Sequence, residues 1–230
     1  VDRGKLPLDN SRAESPAAAR AVALPWRVAV IGAAIAFSSG AGLVAYFVSG
    51  LSLPLGIGLA FAVTATVGVI VWRRLDPARR RVVRRRVRAG LVAGLAATAA
   101  YDVTRFAVVN LFHLNVRPYA ALPVFGQLLV NVPADTGIAW LAGIGYHVVN
   151  GVSFSVAYTM LAGSRGVVAG IAFALVLEAF MLTFYPGWLH IEAIAEFFSM
   201  TILGHVAYGA TLGWLSRRLL RTAATSVVVT

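Results

Sequence analysis

Six runs of apolar residues punctuate the chain, near 28–48, 54–72, 89–112, 136–162, 166–185 and 193–216. Each approaches the roughly 20 helical residues that cross about 30 Å of hydrocarbon. With 59% hydrophobic and only 13% charged residues over 230 positions, the rest of the chain cannot shield that much apolar surface in the way a soluble domain does. Backbone groups left unpaired in lipid are prohibitively costly, and the alternating ten-residue pattern of a membrane barrel is missing. The runs therefore predict an all-α integral membrane protein with six transmembrane helices.

Nine arginines fall between Arg73 and Arg88, in "RRLDPARRRVVRRRVR", and most other basic residues lie near the two ends of the sequence. Positive charge is retained on the cytoplasmic side of membranes, so the termini and an Arg-rich loop at 73–88 are expected in the cytoplasm. The net charge of +11 would suit nucleic acid. The basic run, however, abuts two spans and has no interleaved aromatics for stacking, which favours anionic lipid as its partner and no nucleic acid. All but one of the 20 basic residues are arginine, the habit of a GC-rich bacterial gene, so the expected location is a bacterial inner membrane. The absence of cysteine excludes disulfides, thiolate metal ligands and iron–sulfur clusters.

This pattern divides the chain into a flexible cytoplasmic tail (1–27), a two-helix membrane scaffold without polar groups (28–72), the Arg-rich loop (73–88), a four-helix membrane bundle (89–217) and a cytoplasmic tail (218–230). The first span, about 21 residues long, suits an uncleaved anchor better than the short apolar core of a signal peptide.

Within the bundle a unit recurs. "GLVAGLA" (90–96) and "GVVAGIA" (166–172) open the third and fifth spans, and a carboxylate follows each second glycine by eight residues, at Asp102 and Glu178. The fourth span carries "HVVNG" from His147 and the sixth "HVAYG" from His205. A glycine-rich helix with an acid, followed by a helix with a histidine, thus occurs twice in the same direction, which predicts a parallel two-hairpin repeat. At 1.5 Å rise per residue the four ionisable groups lie roughly 12–20 Å from the outer ends of their spans, near mid-membrane.

Ionisable groups at that depth face the bundle interior or a wet cavity and are functional candidates by default. Helical spacing adds neighbours: Arg105, three after Asp102 and read as its ion-pair partner; Asn150, three after His147; Tyr185, seven after Glu178; and Tyr208, three after His205. Asp102, Arg105, His147, Asn150, Glu178, Tyr185, Glu196, His205 and Tyr208 form the candidate ligand-binding or proton-relay set, with Glu196 on the opposite face of its helix, along a path to the centre. Asp102, His147, Glu178 and His205 offer mixed nitrogen and oxygen ligands for a metal ion, and the two histidines, each flanked by glycine, offer axial ligands for one haem. Ser199 has no nucleophile-elbow motif around it.

The segment 113–135 is too long and apolar for an idle loop, and Pro118, Pro123 and Pro133 prevent one continuous helix. It reads as an outer lid with a short helix at "VFGQLLV", facing a second interfacial stretch at "YPGWLHIEAIAEF" (185–197). Three functions fit this set. The first is binding and translocation of a small solute or ion from the extracytoplasmic side. The second is a metal- or haem-bearing redox subunit or membrane enzyme, and the third a structural subunit of a membrane complex or homo-oligomer whose polar layer only sets packing.

Overall fold

A computed structural model describes residues 24–225. The described residues form eight α-helices: α1 Trp26–Ala36, α2 Ser38–Ser49, α3 Leu53–Arg74, α4 Pro77–Leu111, α5 Ala121–Val130, α6 Gly137–Leu161, α7 Val167–Trp188 and α8 Ile194–Thr225. The expected N-terminal tail lies outside the described residues up to residue 23. Of the expected C-terminal tail, 218–225 continues α8 as helix.

Three helices, α3, α4 and α7, are long and apolar enough to cross a membrane, and the pair α1 and α2 makes a fourth if counted as one span. α6 and α8 fall short of that measure because they carry His147, Asn150, Glu196 and His205. Leu55, Leu59, Phe61, Val63, Val67, Val69 and Ile70 project outward from α3. Such a face is stable against hydrocarbon and a liability against water, so the all-helical fold is compatible with a membrane protein.

Two sequence expectations change. The first apolar run is not one straight helix: α1 and α2 meet at 62° around Phe37. Ser38, Ser39 and Gly40 follow the bend, a composition that loosens the helical ladder, and the Ser38 and Thr64 hydroxyls hydrogen-bond at 2.9 Å, fixing α2 against α3. The Arg-rich segment is helix rather than loop. The Asp76 side chain accepts a hydrogen bond from the Arg79 backbone N–H at 2.8 Å, which is the main reason its carboxyl is held below the usual value, and Pro77 occupies the first turn. Arginine is a good helix former, so α4 propagates through its basic turns into the apolar part without a break.

The basic residues collect at one end of the bundle. Arg86 donates to the Met160 carbonyl at 2.5 Å, the Arg85 guanidinium to the Leu220 carbonyl, and the turn between α6 and α7 passes close to Arg86 and Arg217. Gly166 closes that turn with φ 94°, a conformation that requires glycine. At the other end, α5 lies on α6, where Gly126 and Gly143 let the two backbones touch through the Ala139 and Leu122 carbonyls.

α6, α4, α8 and α7 pack side by side in that order, while α6 and α7 barely meet. Small residues set the spacing. Gly90 and Gly94 of α4 lie against Val156 and Val152 of α6, and Gly170 of α7 lies against Gly209 and Gly213 of α8. Ala93, Ala97, Ala157 and Ala174 are fully enclosed. Between helices in lipid such close backbone approach supplies the dispersion contacts that burial supplies in water. The row is open along the α6–α7 side, and α1 and α2, packed on α6, partly close it. The expected scaffold helices therefore form part of the wall around the interior.

Candidate functional site

A cavity of about 760 Å³ fills the opening of the row. α4 contributes Thr98, Tyr101 and Arg105 to its floor, α6 His147, Asn150 and Gly151, and α8 His205 and Tyr208. α2 and α7 supply apolar walls through Leu43, Val44, Leu177, Phe180 and Met181. The segment 115–122 and the connection 189–193 roof it at the α5 end.

Each carboxylate is paired with the histidine of its own hairpin. Nε2 of His147 lies 3.0 Å from both oxygens of Asp102. Nδ1 of His205 lies 2.6 Å from Glu178 Oε2 and 3.0 Å from the Thr201 carbonyl, while the Thr201 hydroxyl donates to Glu178 Oε1 at 2.5 Å. In each case the imidazole nitrogen faces acceptors, an arrangement that favours a proton on Nε2 of His147 and on Nδ1 of His205, and both histidines line the cavity. The two pairs differ in burial: Glu178 is 2% exposed, whereas the Asp102 side chain keeps 29% of its surface. Neither carboxylate lines the cavity; both stand behind their histidines.

Tyr101, which carries no functional signal in the sequence, joins the two halves. Its ring lies 5.8 Å from that of His147 and 4.8 Å from that of His205. Gly204 of α8 makes this possible, because a Cβ there would press on the Tyr101 ring and on Cγ of Arg105. Tyr101 thus packs against both of the imidazoles expected as axial ligands for a haem. The four-ligand metal set does not form. Among the described residues no three His, Asp or Glu side chains lie close enough to share an ion, because the acid–histidine pairs sit on either side of Tyr101.

The expected Asp102–Arg105 ion pair is also absent, since Asp102 is taken by His147 across the helix boundary. Arg105 instead lies over the rings of Tyr101 and Tyr119, 4.9 Å and 5.9 Å from their centroids. It is 8% exposed, and it makes no ion pair with any described residue.

The remaining candidates divide. Asn150 lines the cavity, and its side-chain oxygen is buried with no partner among the described residues. The Tyr208 hydroxyl donates to the Gly151 carbonyl at 2.5 Å and sits 2.7 Å from the Ser155 hydroxyl, tying α8 to α6 below the cavity. Tyr185 belongs to an aromatic cluster with Phe47, Phe125 and Trp188 at the α5 end. Glu196 does not line the cavity: its carboxylate accepts from the backbone and side-chain amides of Asn115, so it fastens the roof segment to α8. Tyr119 adds a second fastening by donating to the Asp102 carbonyl at 3.1 Å. The Ser199 hydroxyl donates to the Ala195 carbonyl on the outer face of α8. Asn115, Tyr119 and Thr201 gave no sequence signal, since their partners lie on other elements or behind Glu178.

Fold and site define a helical bundle, of composition compatible with a membrane, around a basic-floored, apolar-walled cavity. Within that class the chain belongs to a family of unknown function, DUF6789, which it matches over residues 84–227. No curated protein and no solved structure matches the chain. The family match takes in α4 to α8 and every candidate residue from Asp102 to Tyr208, and leaves α1 to α3 outside.

Proposed function

We propose that this is a six-span bacterial inner-membrane protein that binds a small solute or ion in the central cavity and carries it across the membrane. In this reading α1 with α2, α3, α4, α6, α7 and α8 are the spans, the basic end is cytoplasmic, and the cavity is reached from the α5 end. The single observation that carries it is a cavity at the heart of the bundle, lined by two histidines that are each backed by their own carboxylate. A histidine so backed can bind a polar group or pass a proton while the carboxylate compensates the charge.

The α4–α6 and α7–α8 hairpins are read as a parallel repeat. Each joins its helices by glycine contacts and one acid–histidine pair, and the row α6, α4, α8, α7 suits two like units set side by side. Such repeats place transported substrates at their junction, here α4 against α8, where Tyr101 and Arg105 sit.

The test is His147→Gln. Glutamine retains a hydrogen bond to Asp102 but cannot carry the proton. The variant should lose the small molecule retained by the wild type in native mass spectrometry, at a stability cost of about 0.6–2 kcal/mol, the worth of an interhelical hydrogen bond. A stable variant with undiminished content would reduce the Asp102–His147 pair to packing.

A further inference from the structure

Resting on the reading of the cavity as a binding site, we propose that its ligand is an amphiphile with an anionic head, a carboxylate or phosphate monoester on a long hydrocarbon chain, admitted sideways from the bilayer between α2 and α7. The head is dictated by Arg105. It is more than nine-tenths buried, it lines the cavity, its Nε has no partner among the described residues, and no carboxylate lies within ion-pairing distance. A guanidinium in a low-dielectric site is stable only with an anion or aromatic faces, and here the two tyrosines cover a face while the N–H fork stays without an acceptor. Besides the tyrosines, the other titratable groups on the lining are Arg117, His147, His190, His205 and Glu192. Glu192 is exposed at the roof, so no carboxylate competes for the Arg105 guanidinium in the interior of the cavity, and that guanidinium is the donor the head would bind.

The chain is dictated by the opposite wall. α2 and α7 do not pack as helices; rings bridge them, Phe37 to Phe173 at 6.1 Å nearer the basic end and Phe47 to Phe184 at 5.1 Å nearer the α5 end. Ten residues separate Phe37 from Phe47, so the seam between these bridges is about 15 Å long. Along it α2 presents Gly40, Ala41 and Val44, and α7 presents Leu177, Phe180 and Met181. Ala41 and Val44 are exposed and line the cavity, so the seam between the two ring bridges is the proposed side window onto the surrounding hydrocarbon.

The experiment uses the full chain in phosphatidylcholine nanodiscs with doxyl-labelled stearate, reading the motionally restricted spin-resonance component. Unlabelled stearate and octadecyl phosphate should displace it at least tenfold better than octadecanol, and whichever acid competes more strongly identifies the head. Arg105→Gln should abolish the preference for acids over the alcohol, and Arg105→Lys should retain part of it. Ala41→Trp should exclude the probe, while Leu59→Trp, on the lipid face of α3, should not. If acetate or inorganic phosphate competes as well as the long-chain acids and Ala41→Trp has no effect, the amphiphile is refuted and the small-solute reading stands. If the restricted component is insensitive to Arg105→Gln and the probe is merely annular lipid, the proposal is overturned. Loss of small-molecule retention on His147→Gln in the same preparation would still uphold the binding site itself.

Discussion

The two acid–histidine pairs look alike in sequence but occupy different dielectric settings, and their removal should differ accordingly. Glu178 is 2% exposed and held by both Thr201 and His205, so Glu178→Ala removes a buried carboxylate from both and leaves them the backbone carbonyls of Thr201 and Phe197. Breaking a buried ion pair in this way costs about 3–5 kcal/mol. Asp102, with 29% of its side chain exposed, holds only His147 by its side chain, and Asp102→Ala should cost about 1 kcal/mol, the worth of one interhelical hydrogen bond. Thermal unfolding of both variants in one detergent should rank them so; equal losses would contradict the burial argument. The four residues were legible from the sequence because the acid recurs eight residues after a glycine in both hairpins; which histidine each acid meets was not, and the structure joins each to the histidine of its own hairpin. Arg105 was misread because spacing along one helix says nothing of a better partner on the next. Tyr101 was missed because an aromatic residue in an apolar span carries no mark of what it touches.

At the scale of the helices, every apolar run falls on helix, since hydrocarbon length and hydropathy are both properties of a single stretch of chain, but α4 begins at Pro77 and α8 runs to Thr225, well outside the runs at 89–112 and 193–216. The bend at Phe37 lay outside that signal, because both arms are apolar and hydropathy does not register the Ser38, Ser39 and Gly40 that follow it. The helical Arg-rich turns were hidden for the opposite reason: hydropathy reads charge as loop, although arginine propagates helix well. Helix packing here depends on absent side chains. At Gly126 a Cβ would fall on the backbone carbonyl of Ala139, and backbone cannot step aside as a side-chain tip can. Gly126→Ala should therefore lift α5 from α6 and lower stability by about 1–3 kcal/mol, the usual cost of overpacking. Gly58 meets nothing, so Gly58→Ala should be neutral or slightly stabilising in the same unfolding assay.

For the whole molecule, the arginine-laden end fixes how the bundle should sit in a membrane. The chain has no cysteine, so single substitutions can be labelled without background. Ala78→Cys, in the first basic turn of α4, and Gly187→Cys, beside the roof, should react with an impermeant thiol reagent from opposite faces of the membrane. Reaction of both from one face would overturn the orientation and the access from the α5 end together.

The central claim, that the interior of this bundle is a reachable binding cavity and not a packed polar layer, is tested most directly at Asn150. Its side chain lines the cavity beside His147, and its oxygen is buried without a partner among the described residues. In sealed vesicles, Asn150→Cys should react with a small impermeant methanethiosulfonate applied on the Gly187 side, more slowly than Gly187→Cys but far faster than lipid-facing Val63→Cys. A rate for Asn150→Cys as low as that of Val63→Cys, from both faces, would contradict it.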